Sequence, residues 1–345
     1  MTAARTGRVA ENEGNSRMRK RTIGTDPRTR REVSVLSLGA MLFGTLTDEA
    51  TSFAVLDRYV EAGGTFVDTA NNYAYWQDGG QGGISEEVLG RWRASRGITD
   101  EVVIATKLGA RPKAPGTGFV ENGEGLSAEV IRASSEASRK RLGVEKLDLL
   151  YAHVEDTKVP LAETVHAFGE LVQEGTVGLL GVSNHWSWRV ERARNLAAQA
   201  GLPGYEVLQY GHTYLRRRAD LPGLTCADGD QAAVQGDLVT YLKESPELTL
   251  VAYSPLLGGG YVRADKPLGP SFDHAGTPTR LAALDAVARQ TGATRNQVVL
   301  AWLLGGELPV IPLVGASSVA QLDESLAALD LELTAEQRAL LDAAR

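Results

Sequence analysis

From residue 33 onward, short β-branched and aliphatic runs alternate with longer segments in which apolar side chains recur at helical spacing. The runs at 35–38, 65–68, 101–106, 147–152, 177–183, 206–209, 249–253 and 310–312 predict eight strands, each followed by a helical pattern. Phe53, Leu56 and Val60 define one helix face, and Ile131, Ala137 and Leu142 another; the glycines at 63–64 and Gly143 punctuate their ends. A succession of βα units implies an α/β fold built on a parallel sheet. Eight in a row favour a closed (β/α)8 TIM barrel. A doubly wound open sheet is the alternative, but no G-x-G-x-x-G turn follows the first strand.

Connection lengths add a direction to this picture. The irregular stretches 74–83, 108–125, 153–159, 210–233 and 254–278 all follow strands, whereas the connections from helix to strand are short. In a barrel the βα loops build the C-terminal face, where substrate sits, so the chain concentrates its extra material there. The segment 19–33, ahead of the first strand, is expected to form a hairpin plugging the opposite end. The glycine-rich piece 79–83 reads only as a flexible loop. Residues 1–17 are polar and basic and are expected to be a disordered tail ahead of a barrel domain at 18–345, with Met18 as an alternative start.

Composition narrows the function classes. Of the 345 residues 43% are hydrophobic and 23% charged, enough apolar material for a substantial core. A net charge of −7 gives no global attraction to nucleic acid or anionic membrane, and no apolar run approaches the roughly 20 residues of a membrane span. The basic N-terminus lacks the apolar stretch of a secretory signal. The single cysteine, Cys226, permits no intramolecular disulfide. A cytoplasmic protein acting on small molecules is the expectation.

Four ionisable residues fall at or just beyond strand ends: Asp68, Tyr73, Lys107 and His153. An acid and an amine drawn into a half-buried barrel mouth are costly unless paired, so Asp68 and Lys107 should form an ion pair. A phenol titrates near pH ~10, and a neighbouring cation brings that value down. With Lys107 beside it, Tyr73 would donate a proton to a carbonyl oxygen or take one from an alcohol. His153 would hold the same oxygen from a second side. Singly, each residue also has a structural explanation: a helix cap for the Asp, a solvated Lys, a packed His.

The segments GTFVDTANNY, VVIATK, LDLLYAH, GVSN and VAYSPLLGG occur here in the order seen in aldo-keto reductases. From about Val33 to the C-terminus the chain resembles that family. The resemblance implies that Asp68, Tyr73, Lys107 and His153 are its catalytic tetrad and that a nicotinamide nucleotide supplies the hydride. It implies that Ser183, Asn184 and Gln209 meet the nicotinamide carboxamide and that Tyr253 stacks on the ring. Ser254, Leu256, Gly258, Gly315, Ser317, Gln321 and Ser325 match positions along the cofactor phosphates. The chain departs from many NADPH-using relatives in carrying no Arg or Lys from 312 to 322. NADP(H) is favoured on family habit and NAD(H) stays open, with Arg263 or Arg280 in the long loop as possible sources of a cation.

Among the remaining aromatics, Tyr75 and Trp76 are candidates for a substrate wall. Trp92 and Trp302 lie on helical patterns and are expected in the core, and Trp186 and Trp188 are expected to pack. Arg216–Arg218 reads as a solvated charge run. The long loops 210–233 and 254–278 suggest a pocket for something larger than a simple aldehyde. The expected function is reversible reduction of an aldehyde, ketone or sugar-type carbonyl. One alternative is a nucleotide-binding regulatory subunit of the same fold, like the potassium-channel beta subunits. A metal-dependent barrel hydrolase is the other, though the five histidines at 153, 166, 185, 212 and 274 include no His-x-His pair.

Overall fold

The structure is a computed structural model, and it describes residues 18–77, 80, 82–115, 117–118, 122–223 and 231–345. The expected tail and Cys226 lie outside the described residues, as do parts of the glycine-rich piece. The chain opens with an antiparallel hairpin of β1 (Lys20–Ile23) and β2 (Arg31–Ser34). Eight parallel strands then close into a barrel: β3 (Ser37–Gly39), β4 (Phe66–Asp68), β5 (Val103–Leu108), β6 (Leu147–Ala152), β7 (Val177–Ser183), β8 (Val207–Gly211), β9 (Thr249–Tyr253) and β10 (Val310–Gly315). Strand β10 pairs with β3 to complete the circle. The (β/α)8 expectation is therefore met. The first strand runs two residues later than its apolar signal, because Val35 and Leu36 pack in the core while leading into it.

Helices alternate with the strands and end where local chemistry stops them. Asp48 accepts from Thr51 N at the start of helix Glu49–Glu61, and Gly143 closes helix Ala128–Leu142 in the left-handed conformation. The buried face of that second helix is Ile131, Ser135, Ser138 and Leu142, so Ala137 sits off the face assigned to it. A spacing of three to four residues carries the stripe through the two serines, which apolar counting skips. Trp92 is buried, as expected. Among the described residues, no helix is long and apolar enough to cross a membrane.

Side chains alternate across each strand, and the inward set forms its own cluster: Phe66, Val103, Ala105, Leu149, Tyr151, Leu179, Val207, Val251, Ile311 and Leu313. Gly181 makes room for Tyr151, whose ring lies 2.4 Å from where a Cβ would stand. Ile23 and Val33 from the hairpin join this cluster, both fully buried, so the hairpin seals the end of the barrel where the strands begin. Gly24, at φ +81°, lets the hairpin turn approach Leu179 closely. At the other end, two residues further along the same inward faces, come Asp68, Lys107, His153, Gln209 and Tyr253, with Ser183 four beyond Leu179. The strand period of two thus turns a core-filling pattern into a ring of polar side chains at the mouth.

Candidate active site

Strand register brings Asp68 on β4 beside Ala105 on β5, and Lys107 on β5 beside Tyr151 on β6. Lys107 is fully buried and Asp68 is 1% exposed. The Lys107 ammonium donates to Asp68 Oδ1, to the Thr69 carbonyl oxygen at 2.7 Å and to the Tyr73 hydroxyl at 3.0 Å, so its three N–H bonds are all used. The second Asp68 oxygen accepts from Gln209 Nε2 at 2.7 Å. The family resemblance associated Gln209 with the cofactor; here its amide also anchors the Asp68 carboxylate.

Burial works against the Lys107 cation, but Asp68 and Tyr73 outweigh it and hold the ammonium protonated. Burial likewise pushes the Asp68 carboxyl up, opposed by Lys107 and by the hydrogen bond from Gln209. The Tyr73 phenol ends above its usual value, because burial, with Asp68, exceeds the lowering by Lys107. The expected cation is in place, yet its effect is to limit a rise rather than to produce a net fall. His153 is driven well below the ordinary imidazole value by burial and then by Lys107, so its ring is neutral at physiological pH. It meets Tyr73 edge-on, with centroids 6.0 Å apart. His153 Nδ1 and Asn72 Oδ1 are buried with no partner among the described residues, an arrangement that costs about 1–3 kcal/mol per group unless a ligand or water fills it.

The turn that carries Tyr73 is held from outside. Ala74 takes φ 79°, and Gly82 backs onto the turn so closely that a Cβ there would lie 2.5 Å from the Asn71 carbonyl oxygen and 2.6 Å from Asn72 backbone atoms. Within the glycine-rich piece, Gly82 is thus a close-packed position that no local pattern marks. Positive φ also occurs at Asn184, Ala232, Ser254 and Leu257, all in segments that follow barrel strands. Strained backbone of this kind concentrates where surrounding structure holds a site in shape.

Ser183, at the end of β7, donates to the Gln209 carbonyl oxygen at 2.8 Å. Asn184 Nδ2 donates to the His153 carbonyl oxygen at 3.0 Å, and its Oδ1 accepts from the Tyr253 hydroxyl at 2.9 Å. These contacts tie the residues matched to the nicotinamide end directly to the tetrad. Ser254 leads into the segment with Leu256, and Gly258 lies in the turn Leu257–Gly259. Gly315 ends β10, Ser317 donates through both N and Oγ to Gln321 Oε1 at 2.9 Å, and Ser325 Oγ donates to the Gln321 carbonyl oxygen at 3.3 Å.

Neither expected cation lies free in the long loop. Arg263 is ion-paired with Asp265, and Arg280 lies on helix Gly276–Thr291, buried, with Nη1 donating to the Tyr214 carbonyl oxygen at 3.0 Å. Tyr75 and Trp76 meet edge-on beyond Tyr73, with Trp76 39% exposed. Trp188 is 56% exposed, which corrects the packed position expected for it, whereas Trp302 is partly buried and packs against the core as expected, its Nε1 donating to Asp342. Trp188 stands in the first turn of helix Ser187–Gln199 on its exposed side, which apolar periodicity does not resolve at a helix end. Arg218 does form a surface pair, with Asp220, whereas Arg216 and Arg217 line a cavity with Arg280. Among the described residues, no three His, Cys, Asp or Glu side chains group as metal ligands.

The model of the aldo/keto reductase family matches residues 35–345, nearly the whole barrel. The chain belongs to the aldo/keto reductase family. It is 32% identical over 322 residues to the uncharacterized oxidoreductase YrpG of Bacillus subtilis, covering 90% of this chain and 91% of that one. It is 32% identical to the norsolorinic acid reductase stcV of Emericella nidulans, covering 88% of this chain and 76% of the relative. An aryl-alcohol dehydrogenase of Pestalotiopsis microspora is 29% identical over 88% of this chain and 77% of its own. Carbonyl reduction in the broad sense is thus the family chemistry in which this aldo/keto reductase belongs.

Proposed function

We propose that this aldo/keto reductase uses a nicotinamide nucleotide to reduce a carbonyl to an alcohol, reversibly, with Tyr73 as the proton donor. The observation that carries this is the Lys107 ammonium, bonded at once to the buried Asp68 and to the Tyr73 hydroxyl at 3.0 Å. When bound, the nucleotide supplies the hydride that none of these side chains can store. Ser183, Asn184 and Gln209 would hold its carboxamide, Tyr253 its ring, and Ser254, Leu256, Gly258, Gly315, Ser317, Gln321 and Ser325 its phosphates. The donor set fits at the nicotinamide end, since Asn184 joins the Tyr253 hydroxyl to the His153 backbone beside the partnerless His153 Nδ1. NADP(H) is the first choice by family and NAD(H) the second, because hydroxyls and an amide, with no guanidinium, stand from 312 to 322.

Burial and Asp68 keep the phenol protonated at neutral pH, so the proton needed for reduction is present on Tyr73 Oη. Lys107 stabilises the phenolate left after that proton moves, and Asp68, fixed by Gln209, keeps Lys107 aimed at it. Neutral His153 orients the carbonyl oxygen as a hydrogen-bonding partner without competing as an acid. Exposed Met41, Leu46, Trp76, Trp188 and Val262 all follow barrel strands and give the mouth an apolar rim. That rim, with relatives named for norsolorinic acid and aryl alcohols, supports an aromatic carbonyl substrate. Tyr73→Phe should bind nucleotide as the wild type does and lose about 10²–10⁴-fold in turnover on an aryl-aldehyde and ketone panel. Near wild-type turnover by that variant would overturn the assignment.

A further inference from the structure

A cavity of about 700 Å³ lies behind Tyr253, lined neither by Tyr73 nor by His153. Its walls come from the segment after β8, from Tyr253 at the end of β9 and Ser254 and Leu257 after it, from 267–272, and from the outer helices that carry Arg280 and Trp302. The volume is in the range that accepts a whole small molecule. Much of the lining is apolar or aromatic, including Tyr214, Val239, Leu268, Phe272 and Trp302.

The charges in that lining are one-sided. Arg216, Arg217 and Arg280 face it with one carboxylate, Asp342, which already accepts from Trp302 Nε1 at 2.7 Å. None of the three arginines has a salt-bridge partner among the described residues. Arg280 is 5% exposed, lies over the Tyr214 ring at 5.3 Å and gives one nitrogen to the Tyr214 carbonyl oxygen. A guanidinium carries five N–H donors and a buried one is normally paired with an anion, so a buried arginine on a cavity wall with no salt bridge to a carboxylate is short of its natural partner. The positive field is felt nearby: burial and then Arg216 hold the His212 ring down at about 4, so it is neutral and adds no charge.

We propose that this cavity is a binding site for an organic anion, a carboxylate or phosphate on an apolar, partly aromatic body, with Arg280 meeting the anion and Arg216 and Arg217 assisting at its rim. Tyr253 forms a wall of the cavity and also bonds to Asn184 at the mouth, so an occupant touches the residue matched to the nicotinamide ring. The anion has two possible sources, a separate small molecule or a phosphate of the nucleotide itself.

The test uses 1-naphthyl phosphate as the probe and 1-naphthol as its uncharged counterpart, titrated calorimetrically into the full chain without cofactor. Because it needs no turnover, its outcome is independent of whether the oxidoreductase assignment holds. The phosphate should bind one per chain and at least about tenfold more tightly than the naphthol. Arg280→Met should remove that preference. The loop variant R216Q/R217Q, which changes no buried residue, should weaken phosphate binding severalfold while leaving naphthol binding and the circular dichroism unchanged. Retention of the probe in the presence of NADPH and NADH supports a site for a separate ligand, whereas its displacement by either nucleotide would assign the anion to the cofactor and overturn that site. Equal affinity for the two probes, or unchanged phosphate binding in folded R216Q/R217Q and R280M, would overturn it.

Discussion

Lys107→Met is the most informative perturbation of the tetrad. Methionine keeps most of the apolar stem of the side chain and removes the cation, leaving the Asp68 carboxylate, 1% exposed, with Gln209 Nε2 as its remaining donor. Breaking a buried ion pair from one side costs about 3–5 kcal/mol, because the surviving charge is uncompensated. Asp68 can escape part of that cost by taking up a proton. Burial already pushes its carboxyl up, and in the variant Lys107 no longer opposes it. A carboxyl whose folded-state pKa lies above its unfolded value favours the folded state below the unfolded value near pH ~4, and that stability is lost as pH rises through the folded value. The deficit of Lys107→Met relative to wild type should therefore be largest near pH 8 and shrink toward pH 5. In the double variant K107M/D68N no charge remains to strand, so it should recover most of the loss. Urea unfolding of the four proteins at both pH values gives the double-mutant cycle directly. Activity should fall in the same variant: without Lys107 the Tyr73 phenol rises further, so alcohol oxidation should shift its alkaline requirement upward and reduction should slow about 10²–10⁴-fold. A Lys107→Met protein within 1 kcal/mol of wild type at pH 8, with an unchanged pH–rate profile, would refute the ion-pair and phenol-tuning account together.

Other expectations follow from single contacts. Gly82→Ala forces a Cβ to within 2.6 Å of Asn71 and Asn72 backbone at φ +96°, so it should shift the Tyr73 turn and lower kcat by tenfold or more; kinetics equal to wild type would show that the turn does not depend on this buttress. His185, buried and donating to the Ser183 carbonyl oxygen, is held down at about 4 by burial, so its stabilising effect is complete above about pH 6.5 and declines as pH falls toward 4. His185→Asn should flatten the wild-type loss of unfolding free energy between pH 7 and pH 5 by about 2 kcal/mol, and identical slopes in denaturant titrations would contradict this. Trp76→Ala should raise KM for aryl ketones severalfold and leave short aldehydes unaffected; parallel loss on both would remove Trp76 from the substrate wall.

The alternation of strands and helices, the hairpin plug and the meeting of Asp68, Tyr73, Lys107 and His153 at the barrel mouth were legible in the chain itself. Strand side chains repeat every two residues, so an inward core position such as Ala105 or Tyr151 points directly to Lys107 or His153 at the mouth. The Asp68–Lys107 pair followed from the cost of burying either charge alone. Tertiary structure decided what depends on contacts between distant segments. Gln209 reaches Asp68 across 141 residues, and Gly82 supports a turn it does not belong to. The net rise of the Tyr73 phenol required knowing how deeply it is buried, since burial and the Lys107 charge act in opposite directions. Arg216 and Arg217 read as surface charge and Trp302 as core; the loop after β8 and the outer helices fold them, with Arg280, around one cavity. Local patterning reports which face of an element is apolar, whereas the sum of burial, charge and close approach at a point in space belongs to the folded chain alone.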